Sequence, residues 1–115
     1  MGDVRTGTGL HLMVDGYTAE VPCIDWVDQF VRDVVKQVEL KIIAGPFCFA
    51  LESYQEAWAI VAESHVAVKW FPNGLLLMDL FSCKSFDAES VVNLTVERFK
   101  LHHYQHREIQ RIGVG

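Results

Sequence analysis

The sequence predicts an α+β fold, a two-layer α/β sandwich in which an antiparallel sheet carries two helices on one face. Short apolar runs with period-two alternation follow one another across tight turn signals, so most strands pair with their neighbours in the chain. Only two stretches, one after Asp25 and one after Asp87, repeat their apolar residues at helical spacing. They lie far apart in the chain, so placing both on one sheet face is the economical arrangement. With 115 residues, 50% of them apolar, the chain reads as one domain over 1–115 that folds without covalent staples.

The elements follow in the order β-α-β-β-β-β-α-β. Gly9–Asp15 alternates, with Leu10, Leu12 and Val14 toward the core and His11, Met13 and Asp15 on the other face. Asp25 is the expected N-cap of a helix running to about Val38, whose Val27, Phe30, Val31, Val34, Val35 and Val38 form an apolar stripe that also takes in Trp26. Leu40–Ala44 reads as a strand that Gly45-Pro46 interrupts, with Phe47–Leu51 as an edge or bent extension. The polar stretch 52–56 reads as a loop over a site. Ala57–Ala62 and Val66–Phe71 form a hairpin around Glu63-Ser64-His65, and Leu75–Ser82 follows the Pro72-Asn73-Gly74 turn. Asp87 caps a helix from Ala88 to about Leu101, and His102–Ile112 closes the fold as a polar edge strand. Ala57–Val61 and Leu75–Leu80 are apolar on both parities, which predicts that a second copy covers the free sheet face, in a homodimer or larger homo-oligomer.

Formal charge is -5, which argues against a nucleic-acid partner. The balance is uneven: residues 1–63 carry 4 Lys or Arg against 10 Asp or Glu, and residues 64–115 carry 6 against 5. Two pieces divided before Ser64 would therefore attract each other weakly. Cys23, Cys48 and Cys83 are too few and too scattered for a disulfide framework or a zinc site, and a reducing cytoplasm is the simplest location. No signal segment and no apolar run of membrane-spanning length is present. In a strand His102 and His106 are about 13 Å apart, too far to share a metal ion.

The candidate chemistry lies at Glu63-Ser64-His65 and Cys83. A hairpin corner can impose strain and exposure on a serine, whose hydroxyl can then attack the carbonyl just before it and exchange an amide for an ester. Elimination from that ester cuts the chain and leaves a keto group at the new N-terminus, an electrophile able to accept the electrons released by a decarboxylation. Spacing alone leaves this beside the simpler account, a serine that forms a turn. His11 and Asp15, on the outer face of the first strand, are candidate binding residues at the mouth of such a site.

Residues 62–66, Ala-Glu-Ser-His-Val, followed by Trp70, Pro72 and Gly74 and then by Met78-Asp79-Leu80-Phe81-Ser82-Cys83, resemble the signature of the bacterial and archaeal S-adenosylmethionine decarboxylases. Gly9–Tyr17 is similar to that family's G-x-H opening, and the likeness covers roughly residues 9–112. The resemblance implies a proenzyme that cleaves itself between Glu63 and Ser64, with Ser64 becoming a covalent pyruvoyl cofactor and Cys83 the proton donor to the product carbanion. It implies a dimeric carboxy-lyase that decarboxylates S-adenosylmethionine for spermidine synthesis. Some positions depart from the family pattern. Lys69 stands where the family has a processing histidine, and acts as acid or base only if its pKa is lowered. Glu56 replaces a processing serine, and Asn73 replaces the glutamate expected on the ribose hydroxyls. Phe71 occupies the place of the family tryptophan, with Trp70 displaced by one. Asn73, Phe71 and Trp70 are thus the candidate substrate-binding residues, and Glu56 and His65 the candidate processing-loop residues. Two alternatives stay open: a pyruvoyl decarboxylase of another amino acid such as arginine or ornithine, and an unprocessed homologue that binds a ligand or partner.

Overall fold

A computed structural model describes residues 8–112. Its elements are β1 (Thr8–Tyr17), α1 (Ile24–Gln37), β2 (Ile42–Ala50), β3 (Gln55–Val61), β4 (Ser64–Trp70), β5 (Leu75–Ser82), α2 (Ala88–Phe99) and β6 (His102–Ile112). All six strands form one antiparallel sheet in the order β2-β3-β4-β5-β1-β6. Hairpins build β2 through β5, and β1 then inserts between β5 and β6. The chain leaving β1 must reach the far edge at β2, and the chain leaving β5 must pass over β1 to reach β6. Each of these long connections is a helix.

Both helices cover the same sheet face. Leu12 and Val14 of β1, Ala57, Ala59 and Val61 of β3, Val66, Val68 and Trp70 of β4, and Leu76, Met78 and Leu80 of β5 are buried there. They meet Val27, Phe30, Val31, Val34 and Val35 of α1 and Val91, Val92 and Phe99 of α2 in one core. Each fully buried Val, Leu or Phe contributes about 1.5–3 kcal/mol by leaving water. A one-residue slip of any inner strand would turn that set outward, so burial fixes the register.

Several boundaries differ from the sequence expectation. α1 is capped by Cys23, which makes no side-chain cap bond, and Asp25 lies in the first turn instead. Ile24 packs on the core, so burial draws the first turn ahead of the better cap. β2 runs unbroken through Gly45-Pro46 with two register shifts, Ile42/Ala44 and Ala44/Phe47. It does so because it is an edge strand, where proline removes no obligatory ladder bond. Gly45 sits at φ +95°, and a Cβ there would stand 2.7 Å from the Trp58 carbonyl oxygen. Glu56 belongs to β3, not to a loop, and pairs with Lys69 of β4. The hairpin turn is Ala62-Glu63 alone, so Ser64 and His65 are strand residues.

The second sheet face carries no helix. His11, Met13 and Asp15 lie on it with Trp58, Ile60, His65, Lys69, Asp79 and Phe81, and Phe47 and Phe49 extend it onto β2. Phe47, Phe49, Trp58 and Ile60 are 49%, 48%, 41% and 53% exposed, far from the near-zero values of the helix-covered face.

Candidate active site

The β3–β4 hairpin closes on a Val61–Ser64 pair, which leaves two residues for the turn. Ala62 keeps a negative φ while Glu63 takes φ +64°, the pattern of a type II turn, which prefers glycine or asparagine at its second position. A glutamate held there costs about 1–2 kcal/mol. That strained residue contributes the carbonyl of the Glu63–Ser64 peptide. Its oxygen accepts the Cys83 backbone N–H at 3.1 Å. On the other side of the same peptide, the Ser64 hydroxyl donates to Ser82 Oγ at 2.7 Å. This contact follows from the register, which sets Ser64 opposite Ser82. Ser82 is buried, and its Oγ also accepts the Lys84 backbone N–H at 3.0 Å. Lys84 Nζ in turn donates to the Glu39 carbonyl at the end of α1, at 3.0 Å.

Strand alternation separates Ser64 from His65. Ser64 shares its face with Val66, Val68 and Trp70 beneath the helices, whereas His65 points to the open face. The imidazole next to Ser64 in the sequence is therefore not its partner in space. His65 lies instead between Trp58 and Phe81, with ring centroids 6.2 and 5.7 Å away and both interplanar angles 28°. Burial, and then the neighbouring His11, push its pKa below the usual imidazole value. Beside it His11 Nε2 bonds Asp79 Oδ1 at 2.9 Å. Burial and the Asp79 charge raise the Asp15 pKa, with Arg107 acting against them. Lys69 Nζ lies 3.6 Å from Glu56 Oε1 and 4.7 Å from the centroid of the Tyr54 ring. Together His11, Glu56, Trp58, His65, Lys69 and Asp79 border a hollow of ≈ 240 Å³.

A family model for S-adenosylmethionine decarboxylase matches residues 10–112, nearly the whole chain. The chain belongs to the S-adenosylmethionine decarboxylase family. Members of this family are pyruvoyl-dependent decarboxylases in general. The crystal structure of the adenosylmethionine decarboxylase from Aquifex aeolicus is similar, with a TM-score of 0.78 over 96% of each chain and 17% sequence identity. At that identity the likeness is one of fold. No curated protein matches the chain.

Within the S-adenosylmethionine decarboxylase fold, the residues singled out from the sequence divide into two groups and a remainder. Glu63, Ser64 and Cys83 meet at one end of the β4–β5 pair. His11, Asp15, Glu56, His65 and Lys69 share the open face. Lys69 is five positions along β4 from Ser64, about 17 Å at strand rise, so within one chain it does not act on the Glu63–Ser64 peptide. Trp70 is a core residue, 1% exposed, and its indole N–H donates to the Pro22 carbonyl at 3.0 Å. Burial thus removes it from the substrate-binding candidates. Phe71 packs on Tyr54 at the far end of β4. Asn73 uses its side-chain oxygen to hold the turn, accepting from Leu75 N–H at 3.0 Å, so that oxygen is already engaged. The sequence assigns no candidate site role to Asp79, Trp58, Phe81 or Ser82. Their signal was in the sequence all the same, since period-two alternation aligns Asp79 and Phe81 on one face of their strand.

The residues at the turn fit the formation of a pyruvoyl group from Ser64. Glu63 holds a left-handed φ just before the Glu63–Ser64 peptide, the carbonyl oxygen of that peptide accepts a fixed backbone donor, and the Ser64 hydroxyl is held by a buried acceptor.

Proposed function

We propose that this protein is a self-processing, pyruvoyl-dependent decarboxylase of S-adenosylmethionine. One observation supports the reading above the others: the Glu63–Ser64 peptide sits after a left-handed glutamate with its carbonyl oxygen on the Cys83 N–H. Attack by Ser64 Oγ on the Glu63 carbonyl carbon places negative charge on that oxygen, where a preorganised backbone donor is worth most. The new C–O bond forms, the C–N bond breaks and the hydroxyl proton ends on the freed nitrogen, which leaves an ester. Loss of the Cα proton of residue 64 then expels Glu63 as a carboxylate. Water displaces the nitrogen as ammonia, and a keto group remains.

When present, the pyruvoyl group supplies an electrophilic carbonyl that takes up the electron pair freed as carbon dioxide leaves. The chain's own residues do the rest. Cys83, whose backbone N–H reaches residue 63, is on this reading the residue whose thiol gives a proton to the product carbon. The hollow bordered by Trp58, His65 and Asp79 lies on the open face, opposite to the Ser64 side chain, and offers ring faces and a carboxylate to the cationic, planar part of a substrate. The exposed apolar residues of the open face support a homodimer, and a second copy is also the means to bring Lys69 and Glu56 near a Ser64 about 17 Å from those of its own chain. The product would supply aminopropyl groups for spermidine, and three free thiols suit a reducing cytoplasm.

Two observations favour a second reading, an intact homologue that binds a ligand or partner. Glu56 and Lys69 pair with each other, and Asn73 Oδ1 already holds the Leu75 N–H of its own turn, where the family carboxylate would offer two free oxygens. The Asn73 contact also makes arginine and ornithine necessary comparators, since both lack a ribose. The test is release of labelled carbon dioxide from carboxyl-labelled S-adenosylmethionine, arginine and ornithine by the purified protein. Release from S-adenosylmethionine, absent in Ser64→Ala, is expected. Release from arginine or ornithine alone overturns the substrate, and release from none overturns the activity.

A further inference from the structure

The structure assigns Ser82 a role as positioning residue for the self-cleavage, an inference that rests on the reading just given. Ser82 and Cys83 are consecutive, and between them they hold both reacting groups of the Glu63–Ser64 peptide. The Cys83 N–H fixes the carbonyl oxygen, and the Ser82 hydroxyl fixes the attacking oxygen. A hydroxyl oxygen accepts at two lone pairs. On Ser82 one takes the Lys84 N–H at 3.0 Å, a backbone donor that cannot reverse its role, and the other takes the Ser64 hydroxyl at 2.7 Å. With its proton held toward β5, Ser64 Oγ keeps its own lone pairs for the neighbouring carbonyl carbon.

Ser82 is 1% exposed and sits opposite Ser64 in the ladder, so no water or mobile side chain easily replaces it. The anchoring continues through Lys84, whose ammonium ties the segment after β5 to the Glu39 carbonyl. In the step served, the Ser64 Oγ–C bond forms, the C–N bond to Ser64 breaks, and the hydroxyl proton passes to the Ser64 nitrogen. Ser82 is unchanged at the end.

The test compares Ser82→Thr with Ser82→Val. The two side chains have the same shape and add the same methyl group, so any strain is shared and only the hydroxyl differs. The conversion of freshly synthesised intact chain into two polypeptides is followed with time by intact mass. Parallel samples receive hydroxylamine, which cuts an ester at residue 63. Ser82→Thr is expected to cleave near the wild-type rate. Ser82→Val should be slower by at least about 10-fold, as misplacement of a reacting group predicts, and should show no hydroxylamine-sensitive ester. Ser82→Ala is expected to follow Ser82→Val. If Ser82→Val cleaves as fast as Ser82→Thr, or accumulates the ester, the inference falls while self-processing stands. A wild-type chain that stays whole removes both.

Discussion

A glutamate with a left-handed φ is an expensive way to close a two-residue turn, and here it precedes the one peptide bond that the chemistry would break. In an uncleavable Ser64→Ala background, Glu63→Val should lower stability by about 1–2 kcal/mol, because a β-branched residue fits φ +64° worse still. Glu63→Gly should not lower it, and thermal unfolding of the two variants makes the comparison. The Cys83 donor to Glu63 is a backbone N–H, so Cys83→Ala should leave cleavage intact. The same variant loses the thiol and should slow turnover by about 10²-fold or more, a split readable by pairing intact mass with carbon dioxide release. His65 gives a pH prediction. Its folded pKa lies below the ordinary value of about 6.5, so on acidification the unfolded chain takes up the proton first. Stability is full above that value and is lost as pH falls toward the folded pKa. His65→Phe keeps a ring between Trp58 and Phe81 and should flatten the stability curve between pH 7 and 5. Asp15, whose pKa is raised, contributes with the opposite sign in both proteins. Ser64 and Cys83 enter the candidate site through a motif in the sequence. The pairing of Ser64 with Ser82 was not legible there, since it depends on the register of two strands, and adjacency in the chain pointed to His65 on the wrong face.

The elements were legible where periodicity was strong and obscure where polarity masked it. The β5 bounds, the Asp87 cap and the edge position of β6 followed from pattern alone. Asp87 accepts from Ser90 N–H at 3.4 Å, and Asp87→Ala should cost about 1 kcal/mol in chemical denaturation. The start of β3 looks like loop in the sequence because Gln55 and Glu56 are polar, yet Glu56 faces the helix-free side and pairs there with Lys69. β2 looks broken at Gly45-Pro46, since the sequence does not say that this strand lies at an edge. Gly9 shows how close packing can demand a small residue: a Cβ on β1 there would stand 2.6 Å from the Phe81 ring and 2.9 Å from the Ser82 carbonyl oxygen. Gly9→Ala should destabilise the protein by about 1–3 kcal/mol, measured as the shift in denaturation midpoint.

At the scale of the whole molecule, helices cover one sheet face and leave apolar side chains on the other. No helix among the described residues is long and apolar enough to cross a membrane. Ile60 is 53% exposed and adds little to the core of one chain, so Ile60→Lys should leave the melting temperature of the single chain nearly unchanged. If two open faces associate, the same change buries an ammonium against an apolar partner and should yield monomers in sedimentation equilibrium. A dimer that survives Ile60→Lys would place the interface elsewhere. The two-layer arrangement was legible because strand order and helix spacing leave few alternatives, whereas the His65 stack and the Glu56–Lys69 pair depend on which strands become neighbours. The most direct measurement is the intact mass of the purified protein. Self-processing yields two polypeptides, residues 1–63 and residues 64–115, the second blocked to N-terminal sequencing, and a single unbroken chain of 13.1 kDa excludes it.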